Sequence, residues 1–166
     1  IFFPINMDSS LIKNSTTQKF KKVIFDLDGT LALIDDRRKI STKPNGKIDW
    51  DIFFDPKNIS LDKPNIPVIK MAQSLCDSGH QIVIFSGRSK GTINTTKMWL
   101  NKHNVPWHRL FMRPIKDFTP DDILKKDWLD DIGKDNVLCT FDDRQKVVDM
   151  WRANGISCFQ VAPGNF

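Results

Sequence analysis

"KKVIFDLDGT", residues 21–30, decides how the rest of this sequence is read. The apolar run Val23, Ile24, Phe25 ends in Asp26, and a second carboxylate, Asp28, follows one residue later, just ahead of Gly29. A short apolar run bounded by turn residues reads as a buried strand. Residues two apart on an extended chain point to the same side, so this strand end presents two carboxylates to one place. An Asp-Gly turn alone needs no such pair. Two nearby buried carboxylates repel unless a cation or a shared proton offsets them.

Outward from that stretch the same grammar recurs. "QIVIFSG" (81–87), "RLFMR" (109–113), "NVLCTFDD" (136–143) and "SCFQVA" (157–162) read as further strands. Between them lie helical segments. Pro67 opens one with Val68, Ala72, Leu75 and Cys76 on a face, and Gly79 stops it. A second runs from about 90 to 103 through Ile93, Thr96, Trp99 and Leu100. Thr119-Pro120 opens a third, with Asp121 and Asp122 in its first turn, and Val147, Val148 and Trp151 mark a fourth. Strand-helix alternation with apolar strands predicts an α/β fold, a Rossmann-like three-layer sandwich around a central parallel sheet.

Two regions depart from the alternation. Residues 1–20 read as a flexible N-terminal arm ahead of a single domain, 21–166, and the first methionine, Met7, suggests that residues 1–6 precede the natural start. Residues 33–64 read as a flap or cap inserted after the first strand. Asn45-Gly46 is its hairpin signal, flanked by extended-looking segments.

The 166 residues suit one domain, and the composition, 40% hydrophobic and 27% charged, is that of a globular chain. The net charge of +5 fits an anionic partner without requiring one. No apolar run approaches the ~20 residues that cross a bilayer, so the expected location is the cytoplasm, with no membrane partner. Cys76, Cys139 and Cys158 are widely spaced in apolar segments and read as free thiols. Neither they nor His80, His103 and His108 show zinc-site spacing.

In open parallel sheets, ligands bind beyond the carboxyl ends of the strands. Three of those ends carry "DLDGT", "SGR" and "FDDR". Asp26, Asp28 and Asp142 form an oxygen-only set suited to Mg²⁺. With a metal bridging the charges, Asp26 is placed to attack phosphorus and Asp28 to act as acid and base, keeping its proton to higher pH near other anions. Ser86, the Gly87 amide and the Thr30 hydroxyl are candidate donors to phosphate oxygens. Lys125, four residues after Asp121 on a helix, has the spacing for an ion pair with it and can neutralise the nucleophile.

Taken together these motifs resemble a haloacid-dehalogenase-superfamily phosphatase: "DLDGT", "SGR", Lys125 and "FDD" stand in that family's order. A closer resemblance over most of 21–166 is to the 3′-phosphatase domain of bacteriophage polynucleotide kinase/phosphatases, above all in "FDDRQKVVDMWRANGISCFQVAPGNF" and "DDILK". The resemblance implies Asp26 as nucleophile, Asp28 as acid/base, and Mg²⁺ held by Asp26, the Asp28 carbonyl and Asp142, supported by Asp143. It implies phosphate or substrate contacts for Ser86, Lys125, Arg37, Arg88 and Arg113, and aligns Asp121 with the acid preceding the lysine. It also implies host cytoplasm, if the chain is phage-encoded.

No GxxxxGK(S/T) occurs, so a kinase activity would need another chain or segment. The expected function is a magnesium-dependent polynucleotide 3′-phosphatase acting on DNA or RNA ends. "RRK" (37–39) and Trp50 are candidate guides for the polyanion and its bases. A nucleotidase or small-molecule phosphomonoesterase, and a non-catalytic phospho-acceptor domain, remain open alternatives.

Overall fold

Alternation along the first strand sorts the whole molecule into layers. In the computed structural model, which describes residues 21–164, β1 (Lys22–Asp26) sends Val23 and Phe25 to one side and Ile24 to the other. The expected arm, 1–20, lies outside the described residues. Val23 and Phe25 pack with Val68, Ile69 and Ala72 of α4 (Ile66–Asp77) and with Trp99 and Leu100 of α5 (Ile93–Lys102). Ile24 packs with Leu124, Trp128, Leu129 and Ile132 of α6 (Asp121–Ile132) and with Val147 and Trp151 of α7 (Gln145–Ala153). Burying a large apolar side chain is worth about 1.5–3 kcal/mol, and here it secures both faces of one sheet.

That sheet has five strands in the order β5 (Arg109–Arg113), β4 (Gln81–Ser89), β1, β6 (Val137–Arg144), β7 (Cys158–Gly164), all parallel. The chain builds outward from β1 through β4 to β5, then crosses back to β6 on the other side. The switch point therefore lies between β1 and β6, where open α/β sheets bind ligands. Phe25 pairs with Phe141 across it and the rings stack at 4.5 Å, so Asp26 and Asp142 leave the sheet at the same level. Register shifts between Ser86 and Ser89 on β4 and between Asp142 and Arg144 on β6 end regular pairing there.

The insertion after β1 differs from its expected extended form. A two-stranded ribbon, β2 (Ala32–Leu33) with β3 (Lys63–Pro64), closes its base. Between these strands stand three short helices: α1 (Asp35–Ser41), α2 (Trp50–Phe53) and α3 (Pro56–Ile59). Local caps explain the correction. Asp49 accepts from the amides of Asp51 and Ile52, Asp55 accepts from Lys57, and Pro56 sits at the first helical position. Asn45-Gly46 does make a tight turn, with the Gly46 amide donating to Lys43 and a bridge pairing Thr42 with Ile48. It joins helices rather than strands.

Among the described residues no helix is long and apolar enough to cross a membrane. Cys76, Cys139 and Cys158 are free, and burial pushes the Cys139 thiol up to about 11.

Candidate active site

The layer arithmetic of β1 and β6 dictates where the acids point. Asp26 follows the parity of Ile24, and Asp142 the opposite parity to Phe141, so both carboxylates face α6. There Lys125 is waiting, 3% exposed. Its Nζ donates to Asp26 Oδ1 at 2.6 Å and to Asp142 Oδ2 at 2.8 Å. Trp151 Nε1 donates to the same Asp142 oxygen at 3.2 Å. Lys125 is therefore paired across the sheet end, and not with Asp121 as its spacing suggests. Asp121 instead holds the guanidiniums of Arg113 and Arg144.

Asp26, Asp142 and Asp143 are all buried and offer carboxylate oxygens within 4.8 Å of one another. One lysine does not neutralise three carboxylates. Burial pushes the Asp26 carboxyl well above its usual range, and Asp142 and Asp143 add to this against the pull of Lys125. Burial and then Asp142 lift Asp143 to about 6. For Lys125 burial works downward, but Asp142, Asp26 and Asp121 outweigh it and hold the ammonium protonated. An oxygen-only, charge-deficient cluster of this kind fits a hard divalent cation. Gly29 belongs to the same arrangement: its φ is +92°, and a Cβ there would stand 2.2 Å from Asp143 Oδ2.

Asp28 lies in a second cluster. Arg88 donates to it through Nε at 3.0 Å and through Nη2, and Arg37 through Nη2 at 2.6 Å. Both arginines also bind Asp62: Arg37 Nε and Nη2 at 2.9 and 2.8 Å, Arg88 Nη2 at 2.9 Å. Burial alone would raise the Asp28 carboxyl, but Arg88 and Arg37 outweigh it and bring it down to about 2. This corrects the expectation that Asp28 keeps its proton to higher pH, because the cations beside it come from segments whose approach the sequence does not reveal. Burial raises Asp62 to about 6.

Arg37 and Arg88, expected at phosphate or substrate, are buried and bound to these carboxylates. Arg37 further donates to the Phe53 carbonyl and stacks over the Phe53 ring, and Arg88 reaches Thr96. "RRK" thus puts its first arginine inside the protein.

The phosphate-donor candidates gather beside the acids. Ser86 is buried, and its Oγ accepts from the Arg88 amide. The Gly87 carbonyl accepts from Arg113 Nε at 3.0 Å, and a Cβ on Gly87 would meet Asp121 Oδ1 at 3.0 Å. The Thr30 hydroxyl is buried with no hydrogen-bond partner among the described residues. Trp50 is 59% exposed on the flap, its ring stacked on Phe54.

Two participants escaped the sequence reading. Asp62 lies in "LDKP" with no motif around it. Arg144 closes the quoted "FDDR" without a role assigned to it, and its place beside the acids was the available signal.

A five-stranded parallel sheet with flanking helices and acids at its switch point is the fold of haloacid-dehalogenase-like phosphatases. A haloacid dehalogenase-like hydrolase of Streptococcus pneumoniae superposes with a TM-score of 0.64 at 13% identity, covering 86% of this chain and 84% of that one. More narrowly, residues 20–166 match the model of the polynucleotide kinase PNKP phosphatase domain, and the chain belongs to that family. It is similar to a chain of the Pnkp1/Rnl/Hen1 RNA repair complex, with a TM-score of 0.74 and 31% identity over 96% of this chain and 48% of that one. A curated relative, described as a bifunctional polynucleotide kinase/RNA ligase of Autographa californica nuclear polyhedrosis virus, is 34% identical over 136 residues. The match covers 80% of this chain and 18% of the relative, so the chain spans less than a fifth of that protein.

Proposed function

We propose that this domain removes the 3′-phosphate from DNA or RNA ends in a magnesium-dependent reaction, through an aspartyl-phosphate on Asp26. The observation that carries the reading is the convergence of Asp26, Asp142, Asp143 and Lys125 at one strand end, in a chain of the polynucleotide kinase phosphatase family.

Asp26, Asp142 and the Asp28 carbonyl would hold Mg²⁺ with support from Asp143, and the bound ion supplies charge neutralisation for phosphate and nucleophile together. Ser86, the Gly87 amide and Lys125 receive the phosphate oxygens, and the Thr30 hydroxyl is free to join them. An Asp26 oxygen bonds to phosphorus while the bond from phosphorus to the 3′-oxygen breaks. Asp28 delivers its proton to that oxygen. Water then attacks phosphorus, gives its proton to Asp28, and the bond to Asp26 breaks, releasing phosphate and leaving Asp26 a carboxylate and Asp28 protonated.

Asp28 is ionised when paired with Arg37 and Arg88, which suits the second step. The arriving phosphate adds negative charge beside it and raises its proton affinity, so that it takes up from solvent the proton the first step needs. Arg37 and Arg88 hold Asp28 in place instead of touching phosphate. The larger relatives suggest that a polynucleotide kinase acts alongside this domain.

Phosphate release from 3′-phosphorylated oligonucleotides, 5′-phosphorylated oligonucleotides and mononucleotides, with magnesium and with chelator, tests the proposal. Release from the 3′-phosphorylated ends alone, abolished by chelator, is expected. Equal turnover of mononucleotides moves the reading to a nucleotidase. Release that persists in chelator overturns the metal assignment.

A further inference from the structure

Of the large apolar side chains among the described residues, Phe118 is the most exposed, at 91%. A single exposed ring needs no explanation by itself. This one is held out by its loop. Arg113 Nη1 donates to the carbonyls of Asp117 and Thr119, at 3.4 and 2.5 Å, on either side of Phe118. The Asp117 carboxylate accepts from the Thr119 amide at 2.8 Å, and the Asp117 amide donates to Pro114. Lys116 completes the turn with a φ of 63°, a conformation that a non-glycine residue keeps only where its surroundings impose it.

The same Arg113 reaches the other way, donating Nε to the Gly87 carbonyl at 3.0 Å. One guanidinium therefore ties the candidate phosphate cradle, Ser86–Gly87, to the loop that carries the ring. Asp121 holds Arg113 and Arg144 together beside it. A group with an anionic end in the cradle and a flat apolar face a short distance away is a nucleotide. An exposed aromatic ring on a loop tied to a phosphate cradle is also the pattern by which proteins grip single strands.

We infer that Phe118 stacks against the base of the nucleotide that bears the 3′-phosphate. This rests on the proposed 3′-phosphatase reading and deepens it: the substrate is recognised as a nucleotide end by its π-face, without selecting among the bases. Every base offers such a face, so the contact tolerates any sequence.

Steady-state kinetics of wild type, Phe118→Ala and Phe118→Trp test this on 3′-phosphorylated oligonucleotides ending in a normal or an abasic residue. On the normal end, Phe118→Ala raises KM by roughly 5- to 150-fold, the range that one base–aromatic stack is worth. Its kcat stays within about twofold, since uniform binding is what is lost. Phe118→Trp restores the wild-type KM, and the abasic substrate does not distinguish the three proteins. An unchanged KM in Phe118→Ala, or an equal loss on the abasic end, overturns the inference while leaving the phosphatase reading standing. Failure of the wild type to act on any 3′-phosphorylated oligonucleotide overturns both.

Discussion

Asp28 and Asp62 share the same two guanidiniums, yet they are driven in opposite directions: Asp28 down to about 2, Asp62 up to about 6. Burial pushes both carboxyls upward. Burial dominates at Asp62, and the charge on Asp28 adds to it. At Asp28 the arginines win.

The depressed Asp28 carboxyl is a stability statement with a definite sign. A carboxyl whose folded pKa lies below its unfolded value stabilises above the unfolded pKa, and that contribution disappears as pH falls through the folded one. Asp28→Asn is therefore expected to cost about 2 kcal/mol at pH 7 and almost nothing at pH 2. Urea unfolding of both proteins across that range measures it, and a cost independent of pH would contradict the pairing.

Removing Asp62 leaves two buried guanidiniums with one carboxylate between them. Taking away one partner of a buried ion pair typically costs about 3–5 kcal/mol. Asp62→Ala should lose that much by thermal or chemical unfolding, and Asp28 should be displaced with it. Stability within about 1 kcal/mol of wild type would show that the network is slack.

Metal and protons compete for Asp26 and Asp143. Both carboxyls are raised, Asp143 to about 6, so the metal-free protein carries a penalty that builds as pH rises above the ordinary carboxylate range and, for Asp143, is complete above about 6. Magnesium should therefore raise the melting temperature much more at pH 7.5 than at pH 5, and chelator should remove the difference. An equal increment at both values would argue against these acids as ligands.

Gly29→Ala tests the closeness of Gly29 and Asp143. The new methyl would meet Asp143 Oδ2 at 2.2 Å on a backbone with a φ of +92°. About 1–3 kcal/mol of stability should go with the strain, and the magnesium concentration for half-maximal activity should rise roughly 10- to 100-fold. An unchanged magnesium titration would detach this turn from the metal.

Asp26→Asn removes the proposed nucleophile while leaving Lys125 its bond to Asp142. Phosphate release should fall by at least about 10³-fold, in the way that losing a covalent nucleophile does. Ordinary turnover would end the covalent scheme.

The sheet and its acid-bearing ends were legible because strand parity and turn residues are local signals. Asp26, Asp142 and Ser86 each sit near the end of a buried strand, and that can be seen in a few consecutive residues. The flap was not legible: helices of four to seven residues carry too few turns for apolar periodicity to declare itself, and Asn45-Gly46 drew the eye to a hairpin. Asp62 was invisible for the same reason. The ionisation of Asp28 depends on Arg37 from the flap and Arg88 near the end of β4, a meeting that only tertiary structure arranges. Lys125 shows the converse trap: its helical neighbour Asp121 offered a local partner, and the fold chose two distant ones.

Because Arg37 and Asp62, at the two ends of the insertion, grip Asp28 just after β1 and Arg88 of β4, the insertion cannot be exchanged as an ornament. A graft from another protein that omitted either residue would strip Asp28, the proposed acid and base, of its fixed electrostatic surroundings, and on that proposal the chimera would fail at chemistry even if it bound its new ligand well.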